Sequence, residues 1–317
     1  MLLFRIVAGF VVVSLTGLIW FGDAPERRYV NSPCQYQMIQ QPVQEMGLLT
    51  VGGSRMMTAT DADDFNAALA SVGEPHLPVF NLAHSHFSLG KEYVLLRDLF
   101  ERWSPKAVLV MLEPRKSSYG EAHPEFAEIA RLSDIPSYAA AIWQEDGAEG
   151  VRLILRVIRH HLRVWERLSP QQMKLPEEPL TNCHPGDYRL TLDQLMKGAQ
   201  RNANGLKWAD WDITAPEEQF NRTYIRQISD LAEANGAQAI FLRLQGTGER
   251  IPEPGVSDRF RDATGVELIT YDAQLEERMA SIGRRDRSHI NALGRETFLP
   301  WLIDRIRAVC HQDDGCL

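Results

Sequence analysis

The sequence predicts an α/β fold with a parallel central sheet, and three observations carry that expectation. Apolar runs of strand length alternate with segments of helical periodicity from Met46 to Leu112. The helix-then-strand order returns between Glu218 and Leu244. The chain then closes on a short apolar run, Val266–Thr270, and two more helical segments.

Met46-Gly47-Leu48-Leu49-Thr50-Val51 reads as a buried strand. Gly52 and Gly53 follow it and allow a sharp backbone turn, which puts Ser54 at the strand's C-terminal edge. Open α/β sheets bind ligands along that edge. A helix around Ala62–Ser71 follows, then a second strand at Pro78–Leu82. Leu89, Tyr93, Leu96 and Phe100 recur at helical spacing in a segment Leu89–Trp103 that Pro105 ends, and Ala107–Leu112 is the third strand.

Between residues 115 and 217 the pattern changes to Pro- and Trp-containing sequence with one strongly periodic helix, Gly150–Leu168. Val151, Ile154, Leu155, Ile158, Leu162 and Trp165 share one face of it, opposite Arg152, Arg156, Arg159, Arg163 and Arg167. Such a helix either packs over the core with a solvated basic face or lies on anionic lipid or an acidic polymer. The whole stretch reads as a helical insertion, a cap beside the site. Glu218–Ala234 is then a helix stopped by Asn235-Gly236, Gln238–Leu244 a strand, and Ala273–Ser281 and Ala292–Arg307 the closing helices. No internal repeat stands out.

With 317 residues, 44% of them apolar and 24% charged, the chain can bury a full core. Its formal charge of −8 argues against a nucleic-acid partner, since phosphate contacts demand a basic surface. Ile6–Phe21 is uncharged and, taken with Leu2-Leu3-Phe4, approaches bilayer-spanning length. Residues 1–21 read as a signal peptide or a signal anchor; Arg5 favours a cytoplasmic N-terminus, and the poor cleavage site Gly22-Asp23-Ala24-Pro25 favours an uncleaved transmembrane anchor. Residues 22–45, rich in Pro, Gln and charge, read as a linker, and residues 46–317 as the domain, facing the periplasm or the extracellular space. Cys34, Cys183, Cys310 and Cys316 lack zinc-ligand spacing. They allow three disulfide pairings, of which Cys310–Cys316 with Cys34–Cys183 is preferred, or four separate thiols.

The chemistry-bearing residues lie at the two ends of the predicted domain. Ser54 follows the first strand, and Asp286-Arg287-Ser288-His289 precedes the last helix. No other Asp in the chain has a His three residues on. A serine hydroxyl becomes a useful nucleophile when an imidazole takes its proton, and a carboxylate fixes the tautomer of that imidazole. The same Asp286 or Ser288 also suits a helix N-cap, and the two roles are compatible.

On these residues the chain resembles the SGNH, or GDSL-like, hydrolase superfamily. That family carries its nucleophile in a Gly-rich turn after the first strand and an Asp-x-x-His before the C-terminal helix. The resemblance covers roughly residues 46–113 and 218–309, and Asp286-Arg-Ser-His-Ile-Asn-Ala-Leu-Gly294 looks like the family's usual run. It implies a three-layer α/β/α sandwich of SGNH/flavodoxin-like type, with Ser54, Asp286 and His289 as catalytic residues and no cofactor. The N-terminal anchor and the Gly-x-Ser-Arg-like turn look most like the envelope proteins related to alginate O-acetylation and teichoic-acid D-alanylation. For the oxyanion, the resemblance implies the amide of Arg55, with Ser85 standing where the family's second block has a glycine. The family's third block, Gly-x-Asn-Asp, has no match, because the third strand runs into Glu113-Pro114-Arg115.

Other candidates belong to the same sheet edge. His84 and His86 begin no metal site without a matching Asp or Glu set, and contact with substrate near Ser54 is the better reading. Glu113 and Arg115 form a structural ion pair or orient substrate, Arg115 through a carboxylate of an acidic sugar. Trp208 and Trp211 are packing anchors or sugar platforms. Asn221-Arg222-Thr223 matches a glycosylation acceptor but falls inside a predicted helix. The expected activity is acyl transfer through an acyl-serine, as esterase or O-acyltransferase, on an envelope polysaccharide or another acyl ester. The alternative is a catalytically silent module that binds glycan or scaffolds a membrane-bound acyltransferase.

Overall fold

The computed structural model describes residues 33–40, 46–73, 78–83, 88–112, 129–136, 140, 151–152, 154–159, 213–214, 218–246, 252–280 and 289–310. In chain order the main elements are α1 (Pro33–Gln40), β1 (Leu48–Val51), α2 (Ser54–Ala59), α3 (Ala62–Ser71), β2 (Val79–Asn81), α4 (Leu89–Phe100) and β3 (Ala107–Met111). They continue with α5 (Gln219–Ala234), β4 (Gln238–Arg243), α6 (Val256–Thr264), β5 (Glu267–Thr270), α7 (Ala273–Ala280) and α8 (Ala292–Cys310). The strands form one sheet in the order β2-β1-β3-β4-β5, and every pairing is parallel.

Both faces of the sheet are covered, which explains why its strands are apolar throughout rather than alternating. Leu49, Val51, Val108, Val110 and Phe241 face α4, α5 and α6. Leu48, Leu109, Met111, Ile240 and Leu242 face α2, α3, α7 and α8. The period-two alternation of side chains thus feeds two separate cores. Because α2 and α8 lie on the same face, the two ends of the domain share one core.

The fold departs from the sequence reading in four places. The stretch read as a linker contains α1, whose Ile39 is buried and accepts through its carbonyl from the Trp103 indole at 3.0 Å. Ile39 and Met38 pack against the core, and with the indole bond they seat α1 on the domain. A short helix, α2, begins at Ser54 itself. Helix α6 falls in sequence too polar to read as helix, and Phe260 provides its buried contact. In the helical residues 151–152 and 154–159, the face expected to turn inward is exposed at Val151, Leu155 and Ile158, and Val157 is buried instead. Val157, outside the apolar set read from the sequence, packs in the core cluster.

Among the described residues no helix is long and apolar enough to cross a membrane, and the apolar stretch Ile6–Phe21 lies outside them. Most of the 115–217 insertion, with Trp208 and Trp211, lies outside them as well. Where the insertion begins, Arg131 bonds Asp98 (2.6 Å) and Glu101, and Arg97 bonds Asp134, tying residues 131–134 to α4. Cys310, at the end of α8, is disulfide-bonded. Which of the other three cysteines it joins lies outside the described residues.

Asp272 fastens α7 to α8. Its carboxylate accepts from the Leu275 amide (2.7 Å), the Trp301 indole (3.1 Å) and Arg305 (2.9 Å). Burial pushes its pKa up, but these three donors and the Arg305 charge outweigh that and hold it below the usual carboxylate range. A carboxylate depressed by folding stabilises the fold above its unfolded pKa of about 3.9, and that stability is lost as pH falls through the folded value. Asp272→Asn keeps a capping acceptor but removes the charge that faces Arg305, so at neutral pH it should cost at most about 1 kcal/mol, the partly exposed carboxylate being screened by solvent. Urea melts of both proteins should converge as pH falls below the ordinary carboxylate range, where the wild-type carboxylate takes up its proton. An equal gap at neutral and at acidic pH would reject this role for the charge.

Candidate active site

The strand order places the site. From β1 the chain moves outward to β2, then crosses back to β3 on the other side of β1. The connections leaving the C-terminal ends of β1 and β3 diverge there, and such a switch point opens a crevice in a parallel sheet. Ser54 stands at this position, three residues past the end of β1 and first in α2.

Gly52 makes the turn possible by its size. A Cβ at Gly52 would stand 2.4 Å from Met111 Cβ and 3.0 Å from Met56 Cβ, so no side chain fits between β1, β3 and α2. Helix α2 is then fixed on several sides. The Thr60 hydroxyl sits 2.9 Å from the Met56 carbonyl and 3.1 Å from the Thr50 hydroxyl, both threonines being buried. Asn81 at the end of β2 donates to the Thr60 carbonyl at 2.8 Å and accepts from the Ala83 amide at 2.9 Å. The buried guanidinium of Arg55 reaches the far side of β3 and donates to the Leu244 carbonyl at 3.0 Å. Arg243 and Gln245 are buried at that same end of β4.

His289 arrives from the other end of the domain. Ile290 enters the core beside α8, and Asn291 caps that helix by accepting from the Gly294 amide at 2.7 Å. The sequence offers Asp286 or Ser288 for this cap; Asn291 supplies it because the helix starts at Ala292. With Ile290 and Asn291 fixed, His289 Nε2 lies 2.9 Å from Ser54 Oγ, across 235 residues of sequence. Both side chains are half-buried, so the pair is shielded yet reachable.

When the imidazole carries its proton on Nδ1, the Ser54 hydroxyl donates to Nε2, and this is the arrangement a nucleophilic serine requires. The Arg55 amide belongs to the first turn of α2, where amides point toward the helix N-terminus and toward any charge developing there. Of the residues singled out in the sequence, Ser54, Arg55 and His289 are brought together at the C-terminal edge of β1. Asp286, Ser85, His84, His86, Glu113 and Arg115 lie outside the described residues. Among the described residues no cluster of His, Cys, Asp or Glu could hold a metal ion. A pocket of about 820 Å³ runs along β5 between Pro252 and Val309 and includes neither Ser54 nor His289.

Sequence reasoning missed Asn81, Thr60, Asn291 and Arg295, which hold the pair in place. Asn291 carried a signal, an asparagine directly before an apolar helix. The others bond to partners remote in sequence or to backbone carbonyls, and no local pattern reports such bonds. No family model matches this chain, and no curated protein matches it.

Proposed function

We propose that the chain is a serine-dependent acyl-transfer enzyme of SGNH-like type, an esterase or O-acyltransferase acting through an acyl-serine. The observation that carries the reading is the 2.9 Å approach of His289 Nε2 to Ser54 Oγ. A serine and a histidine so far apart in sequence meet at a sheet edge suited to ligands, in a register that an Asp-x-x-His motif anticipates.

Ser54 Oγ attacks the ester carbonyl carbon while its proton passes to His289 Nε2. The carbonyl electrons move onto oxygen, where the Arg55 amide, with Ser85 as the second donor, stabilises the charge. The tetrahedral adduct collapses, the C–O bond to the leaving alcohol breaks, and His289 returns the proton to that alcohol. Water or a sugar hydroxyl then gives its proton to His289 as it attacks the acyl-serine carbonyl, and when that adduct collapses the acyl C–O bond to Ser54 breaks and His289 returns the proton to Ser54 Oγ. Asp286 orients His289 throughout, and no cofactor takes part. His84, His86, Glu113 and Arg115 hold the substrate, an ester on an envelope glycan or a related acyl ester. The N-terminal segment anchors the domain to the membrane on its extracytoplasmic side, and the helical insertion caps the site.

The full-length chain in detergent should hydrolyse a chromogenic acetyl ester with saturation, and Ser54→Ala should remove that activity. Turnover that Ser54→Ala leaves intact would reject the proposal. The absence of turnover with short and long acyl esters alike would favour a silent glycan-binding or scaffolding module.

A further inference from the structure

We infer that Arg295 is a positioning residue for the Ser54–His289 pair, an inference that rests on reading that pair as the reacting one. Arg295 lies in the first turn of α8, six residues after His289, and is 5% exposed. Its Nη1 donates to the Thr58 carbonyl at 3.0 Å, and its Nε donates to the Asp64 carboxylate. One guanidinium therefore joins three helices: α8, which His289 leads into, α2, which Ser54 begins, and α3.

The lengths involved make this a constraint on the pair. Helix α2 has six residues, so the Thr58 carbonyl lies about one turn from Ser54 and moves with it. Arg295 is likewise about one turn from Asn291, whose carbonyl accepts its amide at 3.0 Å, and Asn291 lies two residues from His289. Besides their own contact, a path of helical turns and hydrogen bonds joins the serine to the histidine through Thr58, Arg295 and Asn291. Thr58 offers one of the last-turn carbonyls that a helix cannot satisfy internally, and a cation suits that end of its dipole. Asp64 offsets the buried charge. A planar guanidinium meets both partners at fixed angles, whereas a lysine ammonium can reach one of them.

The test separates positioning from catalysis. In full-length protein carrying ¹⁵N-histidine, above the titration range of histidine, Ser54→Ala should shift the His289 Nε2 resonance, because a hydroxyl donor is lost. In an Arg295→Met background that response should shrink to a small fraction, with circular dichroism unchanged. This readout needs no turnover, so it stands even where the acyl-transfer reading fails. The second arm measures labelling of Ser54 by an alkyl fluorophosphonate. Arg295→Met should slow it at least tenfold, Arg295→Lys less, and neither should slow it further in a His289→Ala background. Asp64→Asn, at a half-buried position, should act in the same direction more weakly and covers the case in which Arg295→Met fails to fold. An undiminished Nε2 response in Arg295→Met, or in Asp64→Asn where the former does not fold, would overturn the inference. An equal slowing with and without His289 would also overturn it, since it would mark a general structural role.

Discussion

Ser54→Ala and His289→Ala, made singly in the full-length chain, should each lower ester turnover by on the order of 10⁴–10⁶-fold, and the double variant should be little worse than either. In the proposed mechanism the hydroxyl and the imidazole act as one unit across their 2.9 Å contact. Once the base is gone the serine is a poor nucleophile, and once the serine is gone the base has no proton to take. Both side chains are small or half-buried, so the substitutions should leave the melting temperature close to wild type. Steady-state rates on one chromogenic ester, with the melts as controls, are sufficient. Losses that multiply in the double variant would mean that the residues act independently.

Gly52→Ala should be strongly damaging for the addition of one methyl. Its Cβ would lie 2.4 Å from Met111 Cβ, an atom next to the backbone of β3 that cannot swing aside as a side-chain tip would. Relief requires β1, β3 or α2 to move, and overpacking of this kind costs about 3 kcal/mol. Whichever element yields, the first residue of α2 is displaced, and Ser54 with it. Denaturant melts should show the loss of stability, and turnover per folded molecule should fall by at least tenfold, since a displacement of about 1 Å at a reacting atom costs up to a hundredfold. A variant of wild-type stability would show that the turn has slack, and close packing against Met111 would then not be what requires a glycine at this position.

The sheet was legible because its strands are short, apolar and buried on both sides. Leu48–Val51, Ala107–Met111 and Gln238–Arg243 announce themselves by composition alone. Helix α3 was legible too, and Asp61 caps it as an acidic residue before a helix should, accepting from the amides of Asp63 and Asp64. Helix α2 was not, since six residues of Ser-Arg-Met-Met-Thr-Ala fix no periodicity and are held by Thr50, Asn81, Arg55 and Arg295. The meeting of Ser54 with His289 was legible as two motifs at the ends of a predicted sheet. The bonds that hold them together were not, because Arg295 finds its acceptor at Thr58, 237 residues away, and a carbonyl leaves no trace in sequence.

The central claim is that Ser54 is a nucleophile activated by His289, and the most direct measurement is the site at which an alkyl fluorophosphonate reacts. Such probes lose fluoride to an activated serine and spare one that is merely exposed. Peptide mapping of the labelled full-length chain should find the phosphonyl group on Ser54, with labelling slowed at least a hundredfold, to a still measurable rate, in His289→Ala. A folded wild-type sample that carries no adduct at Ser54, or that labels there equally fast without His289, would contradict the claim.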